Sequence, residues 1–174
     1  MLNGGAQELG MDSIQIHVSS KPSCHYSNSA EGTLMGGERV QLLKARAKKF
    51  SDLGFELLNR GVLDLAAFNI QQSCQLTAKT TLLRLIGEAL RVYSVRELLG
   101  MLSARLEEIG FREVSDAVKH FVKKYKEVLA DIDSAYTASR YTLFTYTASD
   151  VNTMAEACSE LHKLLEDVEK HVLG

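Results

Sequence analysis

A single proline, Pro22, stands in the 174 residues, so from residue 23 onward the chain carries none of the strongest helix breaker. From Glu38 on, apolar residues return every three or four positions. That is the period of one helix face, not the alternation of a strand. A chain patterned in this way can bury its apolar residues only by packing helices on helices.

The first helix carries Val40, Leu43, Ala47, Phe50 and Leu57 on one face. Asn59-Arg60-Gly61 ends it, with Gly61 suited to the left-handed C-cap. The second runs from Asp64, whose charge suits a helix start, to about Leu90. Its stripe reads Leu65, Phe68, Gln72, Leu76, Lys79, Leu83 and Ile86, and is expected to face a neighbour. A short third helix holds Val95, Leu98, Leu99, Leu102 and Leu106, followed by Gly110. The fourth is expected as one long helix from about Val114 to Tyr136, with Val118, Phe121, Tyr125, Val128 and Ile132 between. Thr147-Ala148-Ser149-Asp150 supplies capping side chains for the last helix, whose stripe is Val151, Met154, Cys158, Leu161, Leu165, Val168 and Val172. Short connections imply antiparallel neighbours. The expected fold is all-α: an up-and-down bundle of four long helices plus one short helix, over residues 37–174. Residues 1–36, rich in Gly, Ser and Asn, read as a flexible tail. Within it Ile14 to Val18 alternates like a short strand, and Met35 reads as an alternative start.

The net charge of −2 gives no global field favouring nucleic acid or an anionic membrane. The charge is uneven, however: Arg39, Lys44, Arg46, Lys48, Lys49 and Arg60 make the first helix basic, and Glu156, Glu160, Glu166, Asp167 and Glu169 make the last one acidic. Cys24, Cys74 and Cys158 form no close pair and give no disulfide framework. Cys74 and Cys158 fall inside helical patterns and read as small buried apolar residues, which suits a reducing cytoplasm. No apolar run reaches membrane-spanning length, and the N-terminus lacks the basic-then-apolar order of a signal peptide.

The chemistry concentrates in Ser139-Arg140-Tyr141-Thr142-Leu143-Phe144-Thr145-Tyr146, read as a loop between two helices. Arginine beside exposed aromatics can hold a phosphate and a base together. The competing reading, of equal weight on chemistry alone, is that the rings plug the end of the bundle. Gln71, Gln72, Gln75 and Lys79 lie among apolar residues of the second helix, where each polar group needs a partner or water. They lie either at the edge of the stripe or in a groove or dimer face. Lys119, His120, Lys123, Lys124 and Lys126 read as a solvated face, or with Arg140 as a basic groove. The histidines, His17, His25, His120, His162 and His171, have no zinc-ligand spacing, so no metal site and no cofactor is expected.

In order along the chain, four stretches resemble the HEPN domain, the "higher eukaryotes and prokaryotes nucleotide-binding" family. They are Ala45 to Gly61, Asp64 to Ser73 with Lys79, Tyr93 to Leu99, and Ser139-Arg140-Tyr141 followed by Tyr146 to Asp150. The second contains the pattern Ala66-x-Phe68-x-x-Gln71-Gln72. The resemblance implies a helical bundle, often a homodimer, that associates with a nucleotide or RNA and acts with a nucleotidyltransferase partner protein. Some members are metal-independent ribonucleases of toxin–antitoxin pairs, using an arginine followed a few residues later by a histidine. Arg140 fits the arginine, but Tyr146 stands where the histidine is sought, and Ser94 where a second family histidine opens the short helix. A phenol with a pKa of about 10 is a poor general base at neutral pH. The expectation is therefore a non-catalytic protein binding nucleotide or phosphate through Arg140, Tyr141 and Tyr146, with Lys79 and Gln72 carried over from the family pattern. The alternatives are a ribonuclease with an altered site and a purely structural interaction module.

Overall fold

The computed structural model describes residues 36–87, 90–141 and 145–174. The expected tail and its strand-like stretch, Cys24, and Phe144 of the connecting loop lie outside the described residues. Among those described there are six helices and no strand: α1 (Gly36–Asn59), α2 (Leu63–Ile86), α3 (Val95–Glu108), α4 (Arg112–Lys124), α5 (Lys126–Tyr141) and α6 (Ala148–Leu173). None is long and apolar enough to cross a membrane.

The caps follow the residue chemistry. Gly61, Gly87 and Gly110 all take positive φ just past a helix, the conformation that glycine adopts without a Cβ clash. Thr147 accepts from the Asp150 amide while the Asp150 carboxylate accepts from Thr147, a complete capping box for α6. Ser94 caps α3 through the Glu97 amide at 3.2 Å.

The expected fourth helix is two helices. Hydrogen bonds of helical register continue on both sides of Tyr125, from its amide to the Phe121 carbonyl and from the Leu129 amide to its own carbonyl. Its φ of −105° and ψ of 25° nevertheless bend the chain. No glycine or proline marks the place. The bend lets α4 pack against α3 while α5 packs against α2, two surfaces one straight rod would not follow.

α2 is the central helix and packs against α1, α3, α5 and α6. α1 and α5 run antiparallel to it, while α6 runs alongside in the same direction, with Cys158 beside Ile70, His162 beside Ser73 and Glu169 beside Thr81. Ala66, Ala67, Ile70, Cys74, Ala78 and Leu82 of α2 enter the core. The stripe Leu65, Phe68, Gln72, Leu76, Lys79, Leu83 and Ile86 therefore does not. No residue of it is buried, and Leu65 is 48% exposed. The stripe is legible as a face, but a half-buried one: Phe68 lies against Arg140 of α5 and Lys79 against Tyr93, while Leu65 and Ile86 at its ends are exposed.

Candidate functional site

The Arg140 end of α5 is where the expected residues meet. Arg140 and Tyr141 belong to the last turn of α5, not to a loop. The Arg140 guanidinium donates through Nε and Nη2 to the Tyr136 carbonyl at 2.9 and 2.5 Å. It lies 4.6 Å from the Tyr136 ring centroid, 5.0 Å from that of Tyr141 and 5.3 Å from that of Phe68. Three aromatic rings thus hold the cation by their negative faces. The two N–H groups so used leave the rest of the guanidinium fork with no partner among the described residues.

From Tyr136 the arrangement continues as a ladder. The Tyr136 and Tyr93 rings lie 5.4 Å apart, tilted by 34°. The Lys79 ammonium sits 4.8 Å over the Tyr93 ring. Burial lowers the Lys79 pKa. Tyr93 is 56% exposed and Tyr141 76% exposed, so both present faces to solvent.

The glutamines of α2 build the support. Buried Gln75 donates to the Tyr93 carbonyl at 2.6 Å, and buried Gln71 approaches the same oxygen at 3.4 Å. Gln72 donates to the Gln71 side-chain oxygen at 2.6 Å. Asp133, two helical turns before Arg140, accepts from Ser94 Oγ, the Val95 amide and Arg96 Nε at 2.7, 2.6 and 2.9 Å. It thereby ties the start of α3 to α5, and the peptide bearing Tyr93 is gripped from both sides.

Tyr146 differs from the ladder's rings in being buried. It is 6% exposed, and its amide donates to Asp64 at 3.2 Å. Burial, then the negative charges of Asp131, Asp64 and Asp150, push its phenol pKa up. Through its bond to Asp64, Tyr146 ties the start of α6 to α2. Of the two readings of the helix-four lysines, a solvated face or a groove with Arg140, the structure favours the solvated face. Lys124 ends α4, just before α5 begins, whereas Arg140 lies in the last turn of α5, and Lys119 and Lys124 pair with Glu107 and Glu160. Of the histidines, His162 contacts Ser73 and Cys158, and His171 contacts the Asp167 carbonyl.

Tyr93, Tyr136, Phe68 and Asp133 are the residues sequence reasoning left out of the site. Tyr136 and Arg140 are four apart on one helix, a spacing that puts cation and ring together and was there to be read. Nothing local ties Tyr93 or Asp133 to them. The family model of the HEPN domain matches residues 40–170, which spans the ladder and all of its supports. No curated protein matches the chain.

Proposed function

Because this chain belongs to the HEPN domain family, we propose that it binds a phosphate-bearing nucleotide or RNA on the Lys79–Tyr93–Tyr136–Arg140–Tyr141 face, without cleaving it. The observation that carries this reading is the ladder itself: two cations joined through aromatic rings, with Tyr93 and Tyr141 open to solvent. Single-stranded nucleic acid is held by that combination, cations on phosphate and rings on bases. The non-catalytic half rests on Tyr146, whose raised pKa makes it a worse base at neutral pH than an ordinary tyrosine.

The test is a titration of labelled RNA and of free nucleotide against wild type, Arg140→Ala and Lys79→Ala, with cleavage followed in the absence of metal. Arg140→Ala is expected to weaken binding by roughly ten- to hundredfold, the size of a lost charge-assisted contact. The loss should shrink as salt is raised. No binding by wild type rejects the proposal. Cleavage by wild type that disappears in Arg140→Ala replaces it with the ribonuclease reading.

The exposed Leu65 end of the α2 stripe, beside exposed Val62, adds a second element, pairing with another copy of the chain. A nucleotidyltransferase subunit is the other occupant that membership of the family suggests.

A further inference from the structure

The first helix carries more positive charge than its ion pairs use. Lys44 is held by Glu169, Lys48 by Asp52 and Arg60 by Glu56. Arg39, Arg46 and Lys49 are exposed and have no carboxylate in salt-bridge range among the described residues. They follow one another along α1 at steps of seven and three, with exposed Leu42 between the first two, so they share one stripe. From Arg39 to Lys49 that stripe is about 15 Å long at helical rise. Glu38, in the first turn, is the remaining carboxylate of α1.

The stripe borders the side of the molecule that bears the ladder. Lys44 and Ser51 of α1, with Thr77 and Thr81 of α2, line a groove shared with α6. Arg46 comes two residues after Lys44, and Lys79 two after Thr77, so each is turned roughly 200° from that groove at about 3.6 residues per turn. Both therefore point away from α6, and Lys79 is the cation that lies over the Tyr93 ring. The heights match as well. Ser73 donates to the Ala47 carbonyl, and Lys44 and Thr81 meet on Glu169. On these antiparallel helices Arg46 then stands within about a turn of Lys79 along the axis.

We propose, on the reading that the ladder binds nucleotide or RNA, that its ligand is a single-stranded RNA segment of roughly four or more nucleotides, and that Arg39, Arg46 and Lys49 hold its backbone where it leaves the ladder across α2.

A free nucleotide can use the rings with Lys79 and Arg140, but it has no further phosphate to reach α1. A strand whose bases stack on exposed Tyr93 and Tyr141 must lead its next phosphates either over α2 or out into water. The unpaired cations of α1 favour the first course, because each phosphate they meet releases counterions. A lysine already neutralised by a carboxylate gains less, which sets Lys44 and Lys48 apart from the three. Backbone contacts of this kind carry no sequence information, so α1 adds affinity and not specificity.

The experiment follows fluorescence anisotropy of labelled single-stranded RNA, from about two to about twelve nucleotides long, against the full chain. Wild-type affinity should rise with length and level off once the strand spans both rows of cations. Arg39→Gln, Arg46→Gln and Lys49→Gln combined should weaken the longest strands by roughly tenfold or more at low salt and leave the shortest unchanged. The slope of log Kd against log salt should fall by about 2 for the longest strands, at about 0.7 per phosphate contact. Lys123→Gln, Lys126→Gln and Lys163→Gln combined remove the same charge from exposed positions of α4, α5 and α6, and should change neither quantity. Two results overturn the proposal: an α1 variant that binds every length as wild type does, or a control variant that loses as much as the α1 variant. Failure of the ladder reading looks different. Arg140→Ala and Lys79→Ala then bind every length as wild type does, whereas failure of the α1 row alone leaves both weakened at every length. No binding by wild type at any length rejects both.

Discussion

Glu169 of α6 ties α1 and α2 together. Its buried carboxylate accepts from Lys44 of α1, from Arg84 of α2 at 2.5 Å and from Thr81 at 3.0 Å. Burial by itself would raise its pKa, but the hydrogen bonds from Lys44, Thr81 and Arg84 outweigh it and leave the carboxyl below its usual value. With the folded pKa below the unfolded one, the unfolded chain binds more protons as pH falls. The stabilisation is then complete above the unfolded carboxyl pKa, about 4.3, and is lost as pH drops through the lower folded value. Glu169→Gln should therefore be less stable than wild type at pH 7, and the gap between their melting temperatures should close below pH 4 or so. Two melting curves that stay parallel over that range would show that the cluster is not linked to protonation. The acidic character of the last helix was legible from composition. The partners of this one carboxylate were not, because they come from helices 85 to 125 residues away in the chain.

Among the elements, α1 and α2 form the closest pair. Gly54 and Ala47 are the buried residues of α1, and a Cβ at Gly54 would meet Ile70 Cγ1 at 3.1 Å and the Ile70 amide nitrogen at 3.3 Å. The backbones approach because glycine presents no side chain there. Gly54→Leu is expected to lower stability by about 1–3 kcal/mol, the range for forcing extra volume into a packed contact. Urea titration reads this directly, and an unchanged midpoint would mean that α1 moves aside at no cost. Periodicity showed the helical character of both elements. It did not show that α2 would turn Ala66, Ile70, Cys74 and Ala78 inward, because pattern alone ranks faces by hydrophobicity, whereas packing ranks them by how near a neighbour can come.

For the whole molecule, the apolar breadth of α2 has two explanations that the fold separates. Most of it is covered within the chain by α1, α3, α5 and α6. What stays exposed lies at the two ends of the stripe, Leu65 with neighbouring Val62 at one and Ile86 at the other, with the half-buried middle running beside the ladder. If a second copy covers the Leu65 end, light scattering at micromolar concentration should give a dimer mass. Leu65→Glu should return that mass to monomer without loss of helical signal, since Leu65 already stands 48% exposed and charge there costs the single chain little. A wild-type monomer across the concentration range would reject this pairing.

Helix content, the glycine C-caps at Gly61 and Gly110, the capping box of Thr147 and Asp150, and the inward stripes of α3 and α6 were determined by the sequence alone. Each depends on residues within a turn or two of one another, where backbone geometry is local. The bend at Tyr125, the inward turning of Ala66, Ile70 and Cys74 of α2, the burial of Tyr146, and the joining of Lys79, Tyr93 and Arg140 through Tyr136 were decided only by the tertiary structure. Those features depend on which helix lies beside which, and that follows from the shapes of distant surfaces fitted together rather than from any stretch of chain.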